Sequence, residues 1–174
     1  MRKLTFEELQ AQKAMLCRQP LPVSVLLDDI RSLHNVGAVF RTADAVSLEH
    51  LHLCGISGTP PRDEIRKTSL GAEETVPWSY HADAVAVVKE QKRLGRRIVA
   101  LEQTTESVDY RRAEYHFPLL LIIGHEYNGV ADELIGLADL AVDVPMHGSK
   151  HSLNVSVAFG VAIYEILRHW EETA

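Results

Sequence analysis

Apolar positions along the chain follow two rhythms that alternate from one end to the other. Short apolar runs fall at Leu21–Leu27, His50–Ile56, Arg97–Leu101, Pro118–Ile123 and Leu140–Val144. Runs of that length, bounded by turn-forming or charged residues, read as strands buried within a sheet. Helical spacing fills the intervals, at Phe6–Arg18, Asn35–Val46, Ala82–Leu94, Ala131–Ala138 and Ser152–Trp170. In the second of these, Val36, Val39, Phe40 and Ala43 share one face. The first stops before Pro20 and Pro22, and the third ends at Gly95, a residue favoured just past a helix end. Asp132 and Glu133 sit in the first turn of the fourth, where the helix dipole favours acids. Gly58–Glu74 is rich in proline, glycine and charge, and holds at most a short helix near Asp63–Thr68. Thr75–Tyr80 reads as a short strand.

Strands that alternate with helices predict an α/β fold, a mostly parallel sheet flanked by helices on both faces. No repeat, low-complexity tract or linker interrupts it. The expectation is one domain over residues 1–174, with residues 1–20 as an N-terminal helical extension. The last helix adds a signal of its own. Val155, Ala158, Phe159, Ala162, Ile163 and Ile166 form one apolar stripe, while Val157, Val161, Tyr164 and Leu167 cover much of the other side. A helix apolar nearly all round is buried nearly all round. A second subunit covers such a C-terminal helix more easily than a chain this small can, so a homodimer is expected. The competing arrangement is a central helix in a monomer.

Composition narrows the class without choosing a function. At 174 residues, 46% hydrophobic and 24% charged, the chain reads as an ordinary globular protein. No apolar run approaches the roughly 20 residues that span a bilayer, and residues 1–8 lack the hydrophobic segment of a signal peptide. Cys17 and Cys54 belong to no metal-ligand or CxxC spacing, so reduced thiols and a cytoplasmic location are expected. The net charge of −6 argues against nucleic-acid binding over the whole surface. A nucleic-acid partner must therefore meet a local basic patch.

The candidate chemistry lies where strands run out into polar loops. Leu119–Ile123 leads into Gly124-His125-Glu126-Tyr127-Asn128-Gly129, and the last strand leads into Val144-Pro145-Met146-His147-Gly148-Ser149-Lys150-His151 and then Ser152-Leu153-Asn154. In open α/β sheets small ligands bind at this carboxyl edge. A simple strand-to-helix turn explains the glycines but not Glu126, a carboxylate that needs donors beside so apolar a strand. Ser152 and Asn154 place two small polar groups at a helix start, where they can cap it and still face a ligand. After the first strand comes His34-Asn35-Val36-Gly37-Ala38-Val39-Phe40-Arg41-Thr42-Ala43-Asp44, in which Asn35 reads as a good N-cap. Neither GxGxxG nor GxxxxGK[ST] occurs there, so the standard nucleotide cradles are not expected.

Together these segments resemble the SpoU (TrmH-like) branch of the SPOUT-class RNA 2′-O-ribose methyltransferases, from about Leu21 to Arg168. The three motifs stand as Asn35–Ala43, Ile123–Val130 and Val144–Ala158, and Lys67-Thr68-Ser69-Leu70-Gly71-Ala72 resembles the family's Ser-x-Gly-Ala element. The resemblance implies a C-terminal trefoil knot, S-adenosylmethionine as cofactor and an obligate homodimer. It also implies methyl transfer to a ribose 2′-hydroxyl of tRNA or rRNA. The cofactor pocket maps onto Leu101, Gly124, Val144, Met146, Ser152 and Leu153. The catalytic arginine maps onto Arg41, with Asn35, Glu126, Ser152 and Asn154 as its supporting polar residues. Only about twenty residues precede the first strand, so a separate RNA-binding domain is not expected.

A ribose hydroxyl is a poor nucleophile until it loses its proton, and no residue of the motifs stands out as a general base. Arginine stays protonated in proteins. Arg41 is therefore read as the partner of a substrate phosphate, which can itself relay the proton, rather than as a literal base. Among basic clusters, Arg66 and Lys67 are better placed for phosphate contact than Lys92–Arg97 or Arg111-Arg112, because cations are common at helix ends for other reasons. Of the two substrates, tRNA is favoured over rRNA. Two other functions stay open. One is a metal-dependent hydrolase built on His147 and His151, four residues apart but separated by Gly148-Ser149; the other is an RNA-binding protein of the same fold without catalysis.

Overall fold

The computed structural model describes residues 1–15 and 19–173. Its elements run α1 (Phe6–Met15), β1 (Leu21–Asp28), α2 (Leu33–Ala45), β2 (Leu48–Cys54), α3 (Asp63–Ser69) and β3 (Trp78–His81). They continue with α4 (Ala84–Arg93), β4 (Arg97–Leu101), β5 (Val108–Asp109), β6 (Leu119–Ile123), α5 (Asp132–Ile135), β7 (Leu140–Asp143) and α6 (Val155–Thr173). The strands form one seven-stranded sheet in the order β3-β2-β1-β6-β4-β7-β5. Every paired neighbour is parallel.

The period-2 rule explains how the sheet fills two cores at once. On β6, Leu119, Leu121 and Ile123 face the larger core with Phe40, Phe159 and Ile163, residues of α2 and α6. Leu120 and Ile122 face the smaller one with Val87, Val88 and Leu134, residues of α4 and α5. All five β6 residues are essentially inaccessible, which is why this strand reads as a continuous apolar run. β1 alternates the same way between Val23, Val25 and Leu27 on one face and Leu26 on the other. Both faces are thus covered by helices, as the rhythm of the sequence predicts.

Several boundaries differ from the sequence reading. The first predicted helix is seen through Met15, and its expected end at Arg18 lies outside the described residues. α2 begins at Leu33, not Asn35, because Ser32 takes the cap and accepts the Asn35 amide at 3.3 Å. Asn35 therefore lies within the first turn and is not the N-cap. β2 ends at Cys54, where Gly55 turns into the left-handed region (φ 60°). α5 is one turn rather than two, and α6 starts three residues later than predicted. β5, two residues at the sheet edge with Val108 exposed, carries no apolar run that could announce it. Among the described residues no helix is long and apolar enough to cross a membrane.

On the face of β2 and β3 the parallel register sets His52 opposite Ser79 and Cys54 opposite His81. His50 Nε2 and His81 Nε2 each lie 2.8 Å from Ser79 Oγ, and His52 Nδ1 lies 3.2 Å from His81 Nε2. Burial, then the neighbouring His50 and His81, push the His52 pKa down to about 3. It is a neutral, hydrogen-bonded part of the structure at physiological pH.

Candidate functional site

Three loops at the carboxyl edge of the sheet enclose a cavity of about 250 Å³. Leu101 ends β4 and Glu102 and Gln103 follow it, residues 124–127 and Gly129 follow β6, and Val144, Met146 and Ser152–Asn154 follow β7. Leu101, Gly124, Val144, Met146, Ser152 and Leu153, the six residues assigned to a cofactor, all line it. Glu126 and Asn154 line it too. Its walls combine apolar side chains with convergent polar groups, the usual make-up of a small-molecule site. Leu101, Ile123, Val144, Met146 and Leu153 offer a slot for a flat apolar ring, and Ser152, Asn154 and Gln103 line it with polar groups. S-adenosylmethionine, half heteroaromatic and half zwitterion, fits that set of partners.

The glycines of the second loop close it on itself. A Cβ at Gly124 would stand 2.2 Å from the Val130 nitrogen, so no other residue lets this chain crossing pack. Gly129 lies at φ 70°, and a Cβ there would meet the Glu102 carboxylate at 2.2 Å. Glu102 accepts the Val130 amide at 2.9 Å and the Gln103 amide at 2.9 Å, and Gln103 donates from Nε2 to the His151 carbonyl at 2.6 Å. This pair joins all three loops, yet the sequence reading passed over it. Its only signal was position, directly after Leu101 at a strand end.

Glu126 explains its own presence. One oxygen accepts the Arg31 amide at 3.1 Å, and the other accepts the Ser32 amide at 3.0 Å and Asn35 Nδ2 at 2.9 Å. A carboxylate on the N-terminal end of α2 answers both the free amides and the helix dipole. Burial works against its charge, but the donors outweigh it and hold the carboxyl below its ordinary range. Asn154 Nδ2 donates to Asn35 Oδ1 at 3.1 Å, while Asn154 Oδ1 accepts the Ser156 amide at 3.0 Å and so caps α6. Asn35, Glu126 and Asn154, taken from three separate segments, thus form one continuous chain of hydrogen bonds. Ser152 lines the cavity beside it but stands outside α6 and caps nothing.

Arg41 sits farther along α2, exposed, and does not line the cavity. Among the described residues it makes no hydrogen bond or ion pair. Several other basic clusters are paired or exposed. Lys92 is paired with Asp139, Arg93 with Glu90, Arg96 with Glu49 and Arg111 with Asp109. Arg62, Arg66 and Lys67 on or beside α3 are exposed, and their side chains are likewise unpaired among the described residues. α3 packs against α2 through Gly37, where a Cβ would stand 2.0 Å from Thr68 Oγ1 and 2.4 Å from the Ile65 carbonyl. Arg41 and the α3 cations thus lie on two helices packed against each other, while other exposed cations without ion pairs among the described residues, such as Lys89 and Lys150, lie elsewhere. His147 and His151 are exposed in the third loop, and among the described residues no three His, Cys, Asp or Glu are placed to hold a metal ion.

Known proteins agree with this geometry. The SpoU rRNA Methylase family model matches residues 22–164. The tRNA (guanosine(18)-2′-O)-methyltransferase of Aquifex aeolicus is 33% identical over 166 residues, 95% of this chain and 78% of the relative. The enzyme of that name from Thermus thermophilus is 32% identical over 168 residues, 97% and 86% of the two chains. Among solved structures, the A. aeolicus TrmH/SpoU tRNA modifying enzyme superposes with a TM-score of 0.83 at 32% identity, over 95% of this chain and 84% of that one. The SpoU methyltransferase AviRb from Streptomyces viridochromogenes, crystallised with the cofactor AdoMet, gives 0.80 at 25% identity, over 91% and 64%. A parallel sheet with its three loop motifs meeting at one edge, matched along most of its length, leaves one assignment: the chain belongs to the SpoU rRNA Methylase family.

Proposed function

We propose that the protein transfers the methyl group of S-adenosylmethionine to a ribose 2′-hydroxyl of RNA, and that its substrate is tRNA. The observation that carries this reading is the hydrogen-bond chain from Asn154 through Asn35 to Glu126, which ties the cavity to the helix bearing Arg41. The AdoMet-bound AviRb neighbour supports the donor, and the Aquifex and Thermus relatives support a 2′-hydroxyl of tRNA as the acceptor.

Leu101, Gly124, Val144, Met146, Ser152 and Leu153 hold the donor in this reading, whose sulfonium supplies a methyl group already activated by the positive charge on sulfur. The chain's own residues then act by position. Glu126 and Asn154 fix Asn35 and the start of α2, the helix that carries Arg41. Arg41 has no partner to give up among the described residues, so it is free to take a phosphate beside the target ribose. The phosphate then accepts or relays the hydroxyl proton, and alignment of hydroxyl with methyl group lowers the remaining barrier. Arg66 and Lys67 contact phosphates farther along the RNA.

The same reading treats residues 1–174 as one catalytic domain with its C-terminal segment in a trefoil knot, acting as a homodimer in the cytoplasm. The test is methyl transfer from labelled S-adenosylmethionine to separated tRNA and rRNA from a strain lacking the protein. Label in a 2′-O-methylated nucleotide of tRNA is the expected result. Label confined to rRNA overturns the substrate, and label on a base overturns the reaction. RNA binding without S-adenosylmethionine binding in calorimetry makes it a non-catalytic member of the fold.

A further inference from the structure

A second cavity, of about 340 Å³, opens beside α3, away from the three loops. Its walls are unlike those of the first. Pro60, Pro61 and Trp78 line it, together with Arg62, the residue that precedes α3, and Arg66, four residues on in the helix. Glu73 and Glu74 complete it. Trp78 packs edge-on against Phe40, with ring centroids 6.4 Å apart at 89°. That contact fixes the indole from the core side while the residue still borders the cavity.

We infer that this cavity takes one unstacked nucleobase of the RNA substrate, laid between Trp78 and the Pro60–Pro61 turn, with the flanking phosphates on Arg62 and Arg66. The inference rests on the RNA reading given above; it shares Arg66 with that reading and otherwise concerns residues it does not use. Three observations support it. An indole and two proline rings line one cavity, and single-stranded RNA is recognised chiefly by bases splayed onto aromatic and other flat surfaces. Both residues are exposed and make no close ion pair among the described residues, unlike Arg93, Arg96 and Arg111 elsewhere, although Arg66 lies near enough to Glu73 to favour its charge. The carboxylates give the slot a polarity. Glu73 already accepts the Ser69 hydroxyl, and its carboxyl is held below its ordinary range by that bond. A carboxylate acceptor in the same cavity suits a base edge with adjacent N–H donors, which guanine has and uracil lacks.

The place of the slot gives it a use. α3 leans on α2 at Gly37, so a base held here anchors the RNA on the helix pair that carries Arg41. The target ribose would then lie a few nucleotides away.

Trp78 supplies its own probe, because Trp170 is the only other tryptophan. In a Trp170→Phe background, single-stranded RNA hexamers are titrated while Trp78 emission and hexamer anisotropy are followed together. One hexamer has a single guanosine among uridines, one is all uridine, and one has an abasic site in place of the guanosine. Saturable quenching of Trp78 is expected, with affinity for the guanosine hexamer about ten-fold or more above the abasic one. Arg62→Ala with Arg66→Ala should lower the slope of log affinity against log salt by about 1.4, two phosphates at roughly 0.7 each. A hexamer that saturates without changing Trp78 emission, equal affinity for the abasic hexamer, or no binding at all overturns the slot. The labelled-methyl assay on bulk RNA is run in parallel, so a failed slot with intact methyl transfer is distinguished from a failed reaction assignment.

Discussion

Arg41 and Glu126 carry opposite charges at one junction, and their surroundings differ in kind. Glu126 has both oxygens engaged at and just before the start of α2, whereas Arg41 is exposed and has no partner among the described residues. The first is a fixed brace and the second is held in reserve for a ligand. Arg41→Ala should therefore leave S-adenosylmethionine affinity within about two-fold by calorimetry while methyl transfer falls roughly 10²–10³-fold, the usual cost of one preorganised charge partner. Near-normal turnover on the proper RNA would remove Arg41 from the reaction. On the cavity side, Ser152→Ala with Leu153→Asp puts a charge where an apolar wall stands. Cofactor binding should be lost with the circular dichroism spectrum unchanged, and retained affinity would refute the pocket assignment. At this scale the glycine loops and the polar groups at the α6 start were legible from residue type, while the place of Met146 in the cavity wall was implied only by the family resemblance. The role of Asn35 was not. Its side chain is explained by Glu126, 91 residues away, and no local pattern distinguishes an asparagine that caps from one that binds a distant carboxylate.

Between elements, single contacts decide how well the frame holds. Gly37→Ala would drive a methyl group into Thr68 Oγ1 and the Ile65 backbone, so α3 must shift off α2. A loss of about 1–3 kcal/mol in urea unfolding is expected, typical of overpacking. An unchanged midpoint would mean that the two helices separate freely. The β2–β3 histidines predict an acid limb. His52, pushed down to about 3 in the folded protein, stays neutral while an unfolded chain protonates near 6.5. The stability it contributes is thus complete above about pH 6.5 and is lost as pH falls toward 3, by up to roughly 1.4 kcal/mol per pH unit. Urea midpoints measured from pH 7 to 4 should fall, and His52→Gln should flatten the fall; an equally steep limb in the variant would place its cause elsewhere. The long strands and helices were legible because each rests on a period that burial enforces over many residues. The ends were not, since Ser32, Gly55 and Asn154 settle them by single hydrogen bonds or a single φ. β5 was invisible because two residues hold no period.

For the whole molecule, the unresolved surface is the outer side of α6. One face is spent inside the chain, with Phe159, Ala162, Ile163 and Ile166 fully buried. Leu167 joins the same core at its edge. On the other side Val157 and Tyr164 are each 51% exposed, seven residues and two turns apart on one stripe. A β-branched residue and an aromatic ring left half-open on the longest helix are better suited to a matching copy than to water, and a two-fold axis would pair the stripe with itself. Light scattering at micromolar concentration should give about twice 19.4 kDa. Val157→Asp with Tyr164→Asp should yield a folded monomer, because neither side chain belongs to the core. That monomer separates two levels of the proposed function. The cavity and the hydrogen-bond chain from Asn154 to Glu126 come entirely from one chain, so S-adenosylmethionine should still bind. RNA should bind less well, since a chain of net charge −6 gains most by combining the free cations of two copies around one stem. A wild-type monomer at micromolar concentration would leave the stripe without an occupant. A monomeric variant that methylates RNA at the wild-type rate would show that one subunit grips its substrate unaided.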